Sequence, residues 1–184
     1  MRNVQKLTSS KLARIGAALV LMFTVLAVST TADSATGSTI QTKGNTEVHL
    51  NVKILSSLRF VPGTIEVRSG EQLTLVHADA TDDPHTLSIV EPGERPTTVD
   101  DVLNCGAPDT VCGTVFGTVG PQIVDQGKAQ FINVSGRPGL DGHLDTLWLP
   151  AGTSIKVEVD APAGTTLSYM CAIHAWMQGT IKVV

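Results

Sequence analysis

The chain has 184 residues, 42% hydrophobic and 16% charged, with a formal net charge of −4 at pH 7; that is the size and make-up of one globular domain. Four of its 13 basic residues and none of its 17 acidic ones fall in the first 32 positions, so the remainder carries 9 basic against 17 acidic side chains, a net −8. Such an acidic balance argues against nucleic-acid binding, which needs a basic face, and suits a protein partner with a positive patch, drawn in by long-range steering.

The N-terminus opens with Arg2, Lys6, Lys11 and Arg14, continues with an apolar run over 15–28 and ends in the small residues Thr30-Thr31-Ala32. The run is shorter than the roughly 20 residues that span a bilayer. The pattern is that of a secretory signal peptide over 1–32, so the domain is exported to the periplasm or the cell exterior. Membrane association is expected only if this segment stays uncleaved. Residues 33–46, rich in Thr, Ser and Gly, read as a flexible linker.

From 47 onward the chain alternates with period 2. Strand-like runs cover 47–54, 64–68, 72–76, 85–90, 154–159, 165–170 and 179–184, bounded by Gly and Pro turns. This predicts an all-β sandwich or barrel filling 47–184. Residues 91–145 interrupt the pattern with dense Gly, Pro and Asp, one short apolar run at 129–134, and one predicted short helix over 98–103 with Thr97 placed to cap it. A connection that long within one domain is functional or disordered, and Cys105 and Cys112 within it point to order. The six residues between those two cysteines suit a local disulfide in an oxidising compartment. Competing pairings of either one with Cys171 would remove the metal reading that follows.

The segment 169–179, Tyr-Met-Cys-Ala-Ile-His-Ala-Trp-Met-Gln-Gly, places Cys171, His174 and Met177 at Cys-x2-His-x2-Met spacing between two strand-like runs. A thiolate, an imidazole and a weak thioether are three of the four donors of a blue-copper centre. Asp83-Pro84-His85-Thr86 offers a second imidazole, with His77 as the alternative upstream histidine. His49 and His143 read as surface residues, and Met170 and Trp148 as core.

These residues resemble the cupredoxin family, in its plastocyanin and amicyanin branches. The loop has amicyanin spacing. Residues 60–75, Phe-Val-Pro-Gly-Thr-Ile-Glu-Val-Arg-Ser-Gly-Glu-Gln-Leu-Thr-Leu, are similar to the early strands of plastocyanin-like proteins. The resemblance covers 48–90 and 147–184 and leaves the middle unmatched. It implies a Greek-key β-sandwich holding one copper per chain, with His85, Cys171 and His174 as equatorial ligands and Met177 as the long axial one. The chain departs from the pattern at Ala175, where a Pro follows the ligand His, at Trp176, where Phe is usual, and at Thr86, where Asn is common. The resemblance further implies a monomer that is a single-electron carrier and not an enzyme, with a redox partner protein that docks through a basic patch. Copper storage or delivery with the same ligands is the alternative. The loop lacks the second Cys of a binuclear oxidase site, and the chain has none of the His-x-His pairs of multicopper oxidases.

Overall fold

The computed structural model describes residues 38–184; the signal-peptide segment 1–32 and the linker positions 33–37 lie outside them. The described chain runs through β1 (Ser38–Lys43), β2 (Thr46–His49), β3 (Lys53–Ser56), β4 (Arg59–Val61), β5 (Thr64–Val67), β6 (Glu71–Val76) and β7 (His85–Val90). Then come α1 (Val99–Asn104) and α2 (Val111–Val119), followed by β8 (Gln130–Ile132), β9 (Thr146–Leu149), β10 (Ser154–Val159), β11 (Thr166–Met170) and β12 (Gln178–Val183).

Two sheets carry the fold. One has the order β10-β6-β1-β4, the other β5-β12-β11-β7-β9-β8, while β2 and β3 form a separate hairpin. β1 pairs parallel with β6, and β5 parallel with β12; such partners, distant in sequence, mean that the chain passes between sheets. The expected all-β sandwich is therefore the observed architecture. Alternation explains its core. β6 turns Leu73 and Leu75 inward, and β1 turns Ile40 and Thr42. These meet Leu87, Ile89, Leu147, Leu149, Tyr169 and Ile181 from the opposite sheet. Each such side chain contributes roughly 1.5–3 kcal/mol when removed from water.

The linker expectation fails for 38–46. Its Thr and Ile residues are β-branched and fit a half-buried strand, so 38–43 becomes β1, a central strand of the four-stranded sheet. The single strand expected over 47–54 is instead a hairpin. Asn51 takes φ 57°, the left-handed region that Asn tolerates, and Val52 N–H donates to the His49 carbonyl at 2.9 Å to close the turn.

β7 and β9 are buried on both faces, because the 91–145 insertion lies over the outside of the six-stranded sheet as a third layer. A second core forms there from Val90, Trp148, Met170, Ala172 and Ala175 of the sandwich and Cys112, Val115, Val119 and Leu144 of the insertion. Helix α1 starts one residue later than predicted, with Thr98 as its cap in a reciprocal pair with Asp101. Helix α2 was not predicted. Its two glycines and β-branched residues are weak helix formers, and it forms because Cys112, Val115 and Val119 bury one face. At Gly113 a Cβ would sit 2.0 Å from the Ala107 carbonyl oxygen, so only glycine lets the disulfide loop close on the helix.

Cys105 and Cys112 are disulfide-bonded and Cys171 is free and buried. Replacing both bonded cysteines by Ala should cost about 2–3 kcal/mol, the loop-closure entropy of so short a ring. Denaturant unfolding measures it, and the residues around Cys171 should give unchanged spectra.

Candidate metal centre

Two connections at one end of the sandwich carry the candidate ligands: 77–84, leading into β7, and 171–177, between β11 and β12. The second is a tight turn. Cys171 N–H donates to the Met177 carbonyl at 2.9 Å, and Met177 N–H donates to the His174 carbonyl at 2.8 Å. This folds Cys171 and His174 toward the same point. The first residue of β7, His85, faces them from the neighbouring strand.

The ligand atoms of His85, Cys171 and His174 lie within 4.8 Å of one another. Cys171 Sγ is 3.9 Å from His85 Nδ1 and 3.8 Å from His174 Nδ1, and the two Nδ1 atoms are 3.1 Å apart. His85 and Cys171 are fully buried, and His174 is 8% exposed. Met177 is also fully buried and packs into the inter-sheet core.

The protonation states suit a cation. Burial pushes both imidazoles below the usual histidine range, against the pull of Asp79 on His85 and of Asp83 and Asp79 on His174. Both rings are therefore neutral at neutral pH and each has a lone pair to offer. Burial pushes the Cys171 thiol up, opposed by backbone N–H groups. Two of these, from Thr86 and His174, point at the sulfur at 3.4 Å. A soft metal would displace the thiol proton, and these donors would hold the resulting thiolate. One sulfur and two nitrogens converging in a dry pocket fit a transition metal of the borderline-soft kind.

Thr86 ties the two connections together. Its Oγ1 accepts the Ala172 N–H at 2.8 Å and the Ser88 hydroxyl at 3.2 Å, and Ser88 lies 3.0 Å from Thr146 Oγ1. Thus the Thr86 hydroxyl bridges the two connections directly. Gly179, the second residue of β12, permits another close approach: a Cβ there would fall 2.2 Å from the Tyr169 ring and 2.6 Å from the Gly63 carbonyl. Gly179→Ala should therefore destabilise the fold by about 1–3 kcal/mol through overpacking, read as a lowered denaturation midpoint.

His77 is not brought into this group. Its Nε2 bonds to the Asp83 carbonyl at 3.0 Å, and its ring sits 5.2 Å from that of His85. His49 and His143 lie at the surface beside Glu47 and Glu94. Met170 and Trp148 are buried under the insertion, not between the sheets. Sequence reasoning missed Asp79. Its Oδ2 accepts from His85 Nε2 at 2.8 Å and its side chain is fully buried. Only its position six residues before His85 hinted at a role.

No protein-family model matches the chain, and no curated protein matches it. Solved structures that align with the chain include a purple cupredoxin from Nitrosopumilus maritimus, at 14% identity and a TM-score of 0.39, over 80% of this chain and 99% of that one. Plastocyanin from Dryopteris crassirhizoma aligns at 17% identity and a TM-score of 0.39, over 80% and 100%. Auracyanin A, a blue copper protein from Chloroflexus aurantiacus, aligns at 16% identity and a TM-score of 0.40, over 79% and 98%.

Proposed function

We propose that the chain is an exported type 1 copper protein that carries single electrons between redox partners. One copper per chain would be held by His85, Cys171 and His174, with the Met177 thioether as the fourth and weakest donor. The observation that carries this reading is the convergence of one unpaired buried thiol and two neutral imidazole nitrogens within 4.8 Å. Copper, when bound, supplies a one-electron Cu(II)/Cu(I) couple.

The rest is the work of the chain. Cys171 gives up its proton, and the Thr86 and His174 N–H groups stabilise the anion. His85 and His174 donate their Nδ1 lone pairs. The Thr86–Ala172 bond and the sheet register hold these donors apart at fixed spacing, so little moves when an electron arrives. Burial keeps substrates and water out, which suits a carrier better than an enzyme. It also suits a carrier better than a delivery protein, because each ligand is enclosed. The N-terminal pattern and the Cys105–Cys112 disulfide favour an oxidising compartment. The net −8 of residues 33–184 favours a basic redox partner and a monomeric carrier.

The test is the visible spectrum after one equivalent of Cu(II) is added to the purified protein. An intense thiolate-to-copper band in the red is expected; a colourless protein at one copper per chain overturns the reading. Met177→Leu should keep that band and raise the reduction potential, because a donor that stabilises Cu(II) is lost. Voltammetry of the variant measures the shift, and a lowered potential removes Met177 from the axial position.

A further inference from the structure

Asp79 is an expensive residue in its setting. Its side chain is fully buried, and the ion pairs it makes are with His77 and His85, not with a lysine or arginine. Taking a carboxylate out of water costs several kcal/mol unless its lone pairs are satisfied and its charge is answered. The lone pairs are satisfied. Oδ1 accepts from Thr81 N–H at 3.0 Å and from the Thr81 hydroxyl at 2.6 Å. Oδ2 accepts from His85 Nε2 at 2.8 Å, and the buried Thr42 hydroxyl adds a further bond. Thr42 Oγ1 in turn accepts from Ala78 N–H at 3.1 Å, which fixes the backbone beside the carboxylate. Three donors, the Thr81 N–H, the Thr81 hydroxyl and His85 Nε2, converge on its two oxygens, an arrangement that favours the ionised carboxylate. Its charge is not answered by a cationic side chain. The group it bonds to directly is His85, and a metal on the opposite nitrogen of that ring would place positive charge beside the carboxylate.

We infer that Asp79 is a positioning residue for the metal centre. It locks His85 in the Nε2–H form, so that Nδ1 faces Cys171, and its negative charge favours the oxidised metal and lowers the reduction potential. The inference rests on the copper reading above. A carboxylate on the far nitrogen of a ligand imidazole orients the ring and raises its basicity. A more basic ligand stabilises Cu(II) over Cu(I). The electron comes from the redox partner, and no bond breaks: the Nε2 proton stays between His85 and Asp79 in both states. His77 does not compete for this role, since its Nε2 lies 3.7 Å from Asp79 Oδ2 and bonds to Asp83 instead.

Two substitutions push in opposite directions, which a purely structural role does not predict. Asp79→Asn keeps a group of the same shape but removes the charge. Its copper form should keep the red thiolate band and show a raised potential. Thr81→Ala removes one donor from Oδ1, leaves the carboxylate a stronger acceptor toward His85, and should lower the potential. Nitrogen-15 shifts of the metal-free wild type should show His85 protonated at Nε2 and bare at Nδ1, and in Asp79→Asn that preference should weaken. A potential unmoved or lowered in Asp79→Asn, with the band intact, overturns the inference and leaves the copper reading standing. So does a second bound metal equivalent that Asp79→Asn abolishes, because Asp79 would then be a ligand. A wild-type protein with no band overturns the copper reading itself. Should Asp79→Asn fail to fold, the sign of the Thr81→Ala shift decides.

Discussion

Cys171→Ser should abolish the red thiolate-to-copper band and leave the sandwich folded. The sulfur is the one soft donor in the pocket, and a hydroxyl of ordinary acidity does not replace it near neutral pH. The fold should survive because the two sheets are built by Leu73, Leu75, Leu87, Leu147, Leu149 and Ile181, and none of these depends on the thiol. The change is also nearly isosteric, so the cavity penalty is small. Far-ultraviolet circular dichroism and a denaturant midpoint within about 1–2 kcal/mol of wild type should accompany total loss of colour. His85→Ala should bleach the protein in the same way, whereas His77→Ala should leave most of the band, since its ring meets Asp79 and Asp83 and not the sulfur. Bleaching by His77→Ala alone would reverse the ligand assignment.

The candidate ligand set is readable from the sequence for a physical reason. Cys171, His174 and Met177 share one short turn, so their spacing is their geometry. His85 opens a strand, and the strand runs on either side of it alternate polar and apolar residues until their last positions. Features set by tertiary packing are not readable in this way. β1 hides in a Thr- and Ser-rich stretch because its identity as a strand comes from its partners β4 and β6. α2 carries glycines that lower its own helix propensity, and it is fixed by the disulfide and by burial against β9 and β11 residues. The burial of β7 on both faces announces a third layer, and Ser88 and Thr86 blur that signal by making the outward face polar. Asp79 looks like one of several acidic loop residues next to Asp82 and Asp83. Its burial depends on Thr42 from a distant strand, which no local pattern reports.

Trp176→Lys should slow electron exchange with a small cationic redox protein by about tenfold or more, with the copper spectrum unchanged. Of the four candidate ligands His174 alone has any exposed surface, and Trp176 stands beside it, edge to face at 5.3 Å and 43% exposed. Electrons leaving a metal held there would therefore have their shortest way out past these two rings. Ala172 and Ala175, on the same turn, are buried under the insertion. The insertion replaces them: Pro96 and Val99 line a groove with Trp176, and Leu103 is exposed one helical turn beyond Val99. An exposed apolar surface of this kind is what transient docking uses, and here it is supplied partly by the segment that the sequence resemblance left unmatched. Asp82 and Asp83 on the 77–84 connection and Asp100 and Asp101 on α1 are exposed, with Asp83 Oδ2 3.8 Å from His174 Nε2. They would steer a positive partner, so added salt should slow the wild type as screening shortens the reach of those charges. A lysine at 176 removes the aromatic contact and sets a positive charge against a positive partner, and a tenfold loss is about 1.4 kcal/mol. Stopped-flow exchange at low and high ionic strength measures both effects. Rates that ignore Trp176→Lys and salt alike would place the exit for electrons away from His174.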